Sequence, residues 1–148
     1  PENGGAITHL EILDGNGKAL ELCAAGDAFQ LRFHYKLHQP FSEDDLQQLH
    51  AGCNLATHDG VQITGQRWDP TNAERKQLNG TTSFQLSFHF RGGLIAGTYF
   101  ISAGLWCGED RRFLHRIVDL AALKVVDQQA STTFGLCDLS AAPPRLIC

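Results

Sequence analysis

The sequence lacks the features of several protein classes. No run approaches the roughly 20 apolar residues of a membrane-spanning helix, and the first residues have neither the basic start nor the apolar stretch of a signal peptide. Lys and Arg form no long basic run, and the formal net charge is -4. We therefore expect a soluble chain that stays in the cytoplasm and binds neither nucleic acid nor an anionic membrane.

Methionine is absent, and cysteine occurs only five times, never as Cys-x-x-Cys. Since translation begins with Met, we expect this chain to be a domain of a longer polypeptide. Its 148 residues, 43% of them hydrophobic, predict one domain spanning residues 1–148. The spacing of the cysteines predicts free thiols and no zinc or redox site.

The motifs of catalysis are also missing. No Gly-x-Ser-x-Gly element is present, and the segment 15–18 has Ala19 where a phosphate-binding loop needs Ser or Thr, so it predicts a hairpin turn. The seven histidines are spread along the chain, and the acidic residues gather in short, loop-like groups. These patterns predict a protein that is not an enzyme and binds neither a cofactor nor a metal.

Two-residue alternation of apolar and polar side chains dominates what is present, most clearly at 29–37 and 84–90. The predicted strands are 6–13, 29–37, 49–57, 61–66, 84–90, 99–106, 114–126 and 134–139. Ser42 is placed to cap one short helical turn, and 68–80 is the longest predicted loop. About eight short strands without crossover helices predict an all-β fold, an antiparallel β-sandwich of the immunoglobulin-like or jelly-roll type.

One face of the sheet formed by strands 49–57, 61–66, 99–106 and 114–126 carries more aromatic surface than folding requires. Alternation turns Leu49 and its odd-numbered neighbours inward and leaves His50 and Asn54 outside. On strand 99–106 it leaves Phe100, Ser102 and Trp106 outside. Aromatic rings beside planar polar groups suit the apolar faces and hydroxyls of a sugar. A loop, helix or partner subunit covering the patch would account for it equally well.

Five short segments together resemble a known family. They are 5–8 (Gly-Ala-Ile-Thr), 26–37, 94–99 (Leu-Ile-Ala-Gly-Thr-Tyr), 115–119 (His-Arg-Ile-Val-Asp) and 124–126 (Lys-Val-Val). In this order they resemble the C-terminal carbohydrate-binding domain of Wzt-type proteins, the ATPase subunits of bacterial ABC transporters that export O-antigen polysaccharide. The resemblance implies an immunoglobulin-like β-sandwich that dimerises by exchanging its last strand. It also implies that a concave sheet face reads the modified non-reducing end of the glycan and so licenses export.

The resemblance further implies that the domain reaches the transporter's membrane subunit, at the cytoplasmic side of the inner membrane, through its parent protein. In this chain, the segment 134–139 after the linker 127–132 would be the exchanged strand of a homodimer. Segments 49–57 and 61–67 depart from the family's usual pattern, which leaves the ligand open.

On this basis we predict a non-catalytic site for the terminus of an O-antigen polysaccharide. Trp106 and Phe100 would be stacking platforms, and three polar residues would form hydrogen bonds: His50, Asn54 and Ser102. The rim would comprise His115, Arg116 and Trp68. Arginine binds planar anions bidentately, so an acidic end group would suit Arg67, Arg112 and Arg116.

Three alternatives remain open. The aromatic face could pack on a partner protein, the module could belong to a polysaccharide-building glycosyltransferase, or the chain could be a small β-sandwich enzyme.

Overall fold

Two packed β-sheets form the fold in the computed structural model, which describes residues 4–108, 112–127 and 133–147. The strands are β1 (Gly5–Asp14), β2 (Cys23–Ala24), β3 (Phe29–Leu37), β4 (Leu49–Thr57), β5 (Gln62–Trp68), β6 (Ser83–Phe90), β7 (Gly97–Cys107) and β8 (Arg112–Val126). One sheet has the order β1-β3-β6, and the other has the order β2-β8-β7-β4-β5. All neighbours are antiparallel except β2 and β8. The predicted β-sandwich is confirmed.

Alternation puts the apolar residues of both sheets between them. Leu31 and Phe33 from β3 are fully buried in one core with Leu55 of β4 and Ile101 and Leu105 of β7. The opposite faces of β3 and β4 carry polar or small residues, as half-buried strands require, whereas that of β7 also carries Phe100 and Trp106. The predicted inward residues of 49–57 and 99–106 are all buried, so the outward face of this sheet is the one predicted.

In the described ranges, the connections contain two short helices, α1 (Glu43–Gln47) and α2 (Asn72–Leu78). Ser42 caps α1 as predicted, since its hydroxyl accepts a hydrogen bond from the Asp45 amide. The predicted loop 68–80 contains α2, which the strand and turn patterns did not predict. A capping box starts this helix, because Thr71 and Glu74 each accept a hydrogen bond from the other's backbone amide.

The prediction of a strand at 134–139 is wrong. This segment forms bends and pairs with no strand in the described part of the chain, and Phe134 and Leu139 are about 90% exposed. Its apolar side chains therefore lie outside the core that the two sheets enclose. Of the linker predicted at 127–132, residues 128–132 lie outside the described residues.

The segment 15–18 is a turn, as predicted: Asp14 accepts hydrogen bonds from the Asn16 and Lys18 amides. Among the described residues, no helix has the length and apolar character needed to cross a membrane.

Candidate functional site

A groove of about 570 Å³ lies on the outward face of the five-stranded sheet. Strands β4, β5, β7 and β8 form its floor and walls because they are neighbours in this sheet. The side chains that give it chemical character are those of Asn54, Arg67, Ser102, Trp106, Phe113 and Arg116. The groove is therefore an open, mixed aromatic and polar surface on the face that alternation predicted.

Glycines make room for the aromatic rings on the groove floor. A Cβ atom on Gly52 would lie 3.2 Å from Cη2 of Trp106, and one on Gly104 would lie 3.1 Å from Cε1 of Phe113. Both distances are shorter than ordinary carbon contacts. The rings of Trp106 and Phe113 can therefore lie close to the sheet because the residues beneath them have no side chain.

Four side chains form a continuous band along the groove. The ring centroids of His50 and Trp106 are 5.9 Å apart, and those of Trp106 and Phe113 are 5.8 Å apart. The guanidinium carbon of Arg116 lies 5.5 Å from the Phe113 centroid, within the range of a cation–π contact. The band presents three aromatic rings in sequence, followed by the guanidinium group of Arg116, and Phe113 is 38% exposed.

An acidic residue joins the polar groups at one end of this band. Asp69 contacts His50 Nδ1 at 2.5 Å through Oδ1 and accepts a hydrogen bond from Arg67 at 2.9 Å through Oδ2. Burial acts to raise the pKa of Asp69, but the hydrogen bonds from His50 and Arg67 outweigh it and hold that pKa below its ordinary value. Asp69 is thus a carboxylate at neutral pH.

Two irregularities in β8 decide which of its side chains face the groove. Phe113 pairs with Trp106 and His115 pairs with Leu105, so Leu114 is an extra residue that shifts the alternation by one. Arg116 then pairs with outward-facing Gly104. Further along, three residues of β8 stand opposite Ser102 alone.

At this second bulge Asp119 has a φ of 54°, an uncommon conformation for a residue other than glycine, and its amide donates to Ser102 Oγ at 3.0 Å. The hydroxyl oxygen of Ser102 is the acceptor in this bond, so its own proton can still be donated to a ligand.

The structure brings together most of the residues predicted for the site. Asn54, Arg67, Ser102, Trp106 and Arg116 line the groove, and the His50 ring lies beside that of Trp106. Phe100 is on the same strand but does not line the groove. It pairs with Ala56 and Ala122, beyond the Ser102 end of the site.

Two residues predicted at the rim, His115 and Trp68, lie instead on the inner side of the sheet, so the prediction is wrong for both. His115 is buried because of the Leu114 bulge, and its Nδ1 accepts the Ile7 amide at 2.7 Å. Trp68 pairs with buried Ala51, its ring lies near that of Phe84, and its Nε1 donates to Glu74. The side chain of Arg112 lies outside the described part of the structure.

Sequence reasoning missed Phe113 and Asp69. Phe113 pairs with Trp106 beside a bulge that alternation does not reveal. Asp69 stands just after a strand that was predicted to end at residue 66. Cys23, Cys53 and Cys137 carry free thiols, as predicted. In the ranges described, no three His, Cys, Asp or Glu residues are grouped to hold a metal ion.

Comparison with known proteins identifies similar chains. The model of the Wzt C-terminal domain family matches residues 2–139. The solved crystal structure of a Wzt C-terminal domain superposes with a TM-score of 0.75 and 17% sequence identity, covering 98% of this chain and 86% of that one. At this identity the superposition establishes a shared fold. No curated protein sequence matches the chain significantly.

Proposed function

Because the chain belongs to the Wzt C-terminal domain family, we propose that it is a non-catalytic module that binds a polysaccharide in the groove of its five-stranded sheet. The ligand is the modified non-reducing end of a bacterial O-antigen. Binding licenses export of the finished polymer by an ABC transporter whose ATPase subunit carries this module. The domain then acts in the cytoplasm, at the inner membrane, through its parent protein.

The observation that carries this proposal is the band formed by His50, Trp106, Phe113 and Arg116. Pyranose rings have apolar C–H faces that stack on aromatic planes, while their hydroxyls bond to polar groups at the edge of the stack. The band supplies planes spaced 5.8 to 5.9 Å apart between ring centroids. Two polar groups, those of Asn54 and Ser102, stand directly opposite each other on adjacent strands of the same face. Together these groups suit one or two sugar rings lying across β4, β7 and β8.

The shape of the groove favours modest affinity. It is an open surface, so a sugar bound there keeps part of its hydration, and only the contact face is desolvated. We expect dissociation constants in the micromolar to millimolar range, roughly -4 to -8 kcal/mol. Such an affinity suits a binding module that must release each polysaccharide after export.

The two tryptophans provide an internal test, because they lie on opposite faces of the same sheet. A Trp68→Phe variant keeps only the groove tryptophan as a fluorescent reporter, and a Trp106→Phe variant keeps only the inner one. We expect an O-polysaccharide with an intact terminus to change the emission of the first variant and to leave the second unchanged. Equal responses, or none from either folded variant, would contradict the groove as the binding site.

We also propose that the module is a homodimer in which the C-terminal segment of each copy packs on the other. Phe134, Leu139 and Ile147 are each about 90% exposed in the single chain, an unfavourable state for three large apolar side chains. An exposed apolar segment of one copy can pack on the sheet of a second copy. Light scattering at micromolar concentration should give twice the chain mass, and truncation after residue 132 should give a monomer.

A further inference from the structure

Asp69 joins two of the polar side chains at the groove. Its Oδ1 contacts His50 Nδ1 at 2.5 Å, and its Oδ2 accepts from Arg67 Nη2 at 2.9 Å. We propose that Asp69 is a positioning residue of the groove, which fixes His50 in a single tautomer and neutralises Arg67, so that among the described side chains of the groove Arg116 is the cation left for the ligand. This inference rests on the proposed function, since it assumes that a saccharide occupies the groove.

The tautomer follows from the chemistry of the contact. A carboxylate oxygen is an acceptor only, so the ring nitrogen that contacts it must carry a hydrogen. In neutral His50 the proton is therefore on Nδ1, and Nε2 has a lone pair. The ring is also held beside Trp106, at 33° to its plane. His50 thus offers the edge of the aromatic band an acceptor for a sugar hydroxyl.

The charge argument concerns Arg67 and Arg116, the arginines that line the groove in the described part of the chain. Arg67 is paired with Asp69, whereas Arg116 has no ion pair with any carboxylate in the described ranges. Arg116 lies over the Phe113 ring, which leaves its guanidinium edge available for hydrogen bonds. Removal of the negative charge on Asp69 would leave Arg67 unpaired beside Arg116 and increase the preference of the groove for anionic ligands.

The chain contains a matched control for this pair. On the outward face of the other sheet, His34 Nε2 contacts Glu11 Oε2 at 2.9 Å, and Glu11 stands opposite Arg32 on the neighbouring strand. This pair is also a contact between a histidine and a carboxylate, through Nε2 rather than Nδ1, and it lies away from the groove. A Glu11→Gln variant therefore removes an equivalent histidine–carboxylate contact without changing the groove.

The first measurement needs no ligand. ¹⁵N-resolved NMR of the histidine rings at pH 8 should show a protonated Nδ1 for His50 in the wild-type chain. The Asp69→Ala variant, which has no acceptor, should lose this preference, and Glu11→Gln should keep it. A wild-type His50 protonated on Nε2, or a tautomer that does not respond to Asp69→Ala, would overturn the proposal.

The second measurement compares two sugars that differ in one group, methyl β-D-glucoside and its carboxylate counterpart, methyl β-D-glucuronide. The ratio of their affinities isolates the charge effect from any general loss of binding. We expect Asp69→Asn to raise the preference for the glucuronide roughly two- to fivefold, the range of an exposed ion pair. Glu11→Gln should leave the ratio unchanged. An unchanged or reduced ratio in Asp69→Asn would overturn the charge role.

The outcomes also separate this inference from the proposed function. If both sugars bind the wild type and Trp106→Ala abolishes binding, but the tautomer is unchanged in Asp69→Ala and the ratio is unchanged in Asp69→Asn, only the inference fails. If neither sugar nor O-polysaccharide binds the folded wild type, the proposed function fails. In that case, the measurement of the His50 tautomer alone tests whether Asp69 positions the ring.

Discussion

Substitution of His115 tests whether the bulge in β8 turns this side chain into the core instead of toward the ligand. Its Nδ1 accepts the buried Ile7 amide at 2.7 Å and so connects β8 of one sheet to β1 of the other. In a His115→Leu variant the side chain keeps its bulk but loses the acceptor. An amide left buried without a partner costs about 1–3 kcal/mol. For a chain of this size that corresponds to a decrease in Tm of roughly 3–10 °C.

The assay is urea or thermal unfolding monitored by circular dichroism, with His115→Asn as the conservative variant. Asparagine places an acceptor oxygen near the position of Nδ1, so His115→Asn should recover part of the lost stability. Both variants should retain saccharide binding at a temperature where they are folded, because His115 lies on the inner side of the sheet. Wild-type stability in His115→Leu combined with loss of binding would refute this reasoning and restore His115 to the rim.

Three further predictions concern the fold. The Tyr35 hydroxyl is buried and has no hydrogen-bond partner among the described residues. Tyr35→Phe should therefore leave the free energy of unfolding unchanged or raise it by about 1 kcal/mol. A clear decrease of this free energy in urea denaturation would contradict the prediction. A Cβ atom on Gly65 would lie 2.9 Å from the Cys53 carbonyl oxygen, so Gly65→Ala should lower the free energy of unfolding by about 1–3 kcal/mol. Gly93→Ala is the control, because a Cβ atom there has its nearest contact at 3.6 Å and should change this free energy little. Burial raises the pKa of the Cys53 thiol to about 12. Since the unfolded chain releases this proton near pH 8.5, stability should fall as pH rises above about 8.5, and Cys53→Ala should show a weaker fall between about pH 8 and 10.

Alternation predicted the strands and the outward face because both depend on a local period of two. It could not predict where that period is interrupted. One extra residue at Leu114 exchanges the faces of His115 and its neighbours, and the bulge opposite Ser102 depends on pairing between strands rather than on any local pattern. The bulge at Leu114 is the reason why Phe113 lines the groove and His115 does not.

The remaining differences between the sequence-based prediction and the structure have other causes. The sequence Thr71-Asn72-Ala73-Glu74 has the spacing of a capping box, so the helix after Trp68 could have been predicted from the sequence. Segment 134–139 has strand-like residues, yet its large apolar side chains stay exposed in the single chain. The contact of Asp69 with His50 joins residues 19 positions apart, and only the pairing of β4 with β5 brings them together.

The most direct test of the central claim is a calorimetric titration of the chain with one O-polysaccharide in two forms, with its modified non-reducing residue intact and with that residue removed. We expect saturable binding of the intact polymer only, and at least a roughly tenfold loss of affinity in Trp106→Ala, the equivalent of about 1.4 kcal/mol. Equal binding of both forms would show that the groove reads internal repeats. Unchanged binding in a folded Trp106→Ala variant would contradict the groove as the site.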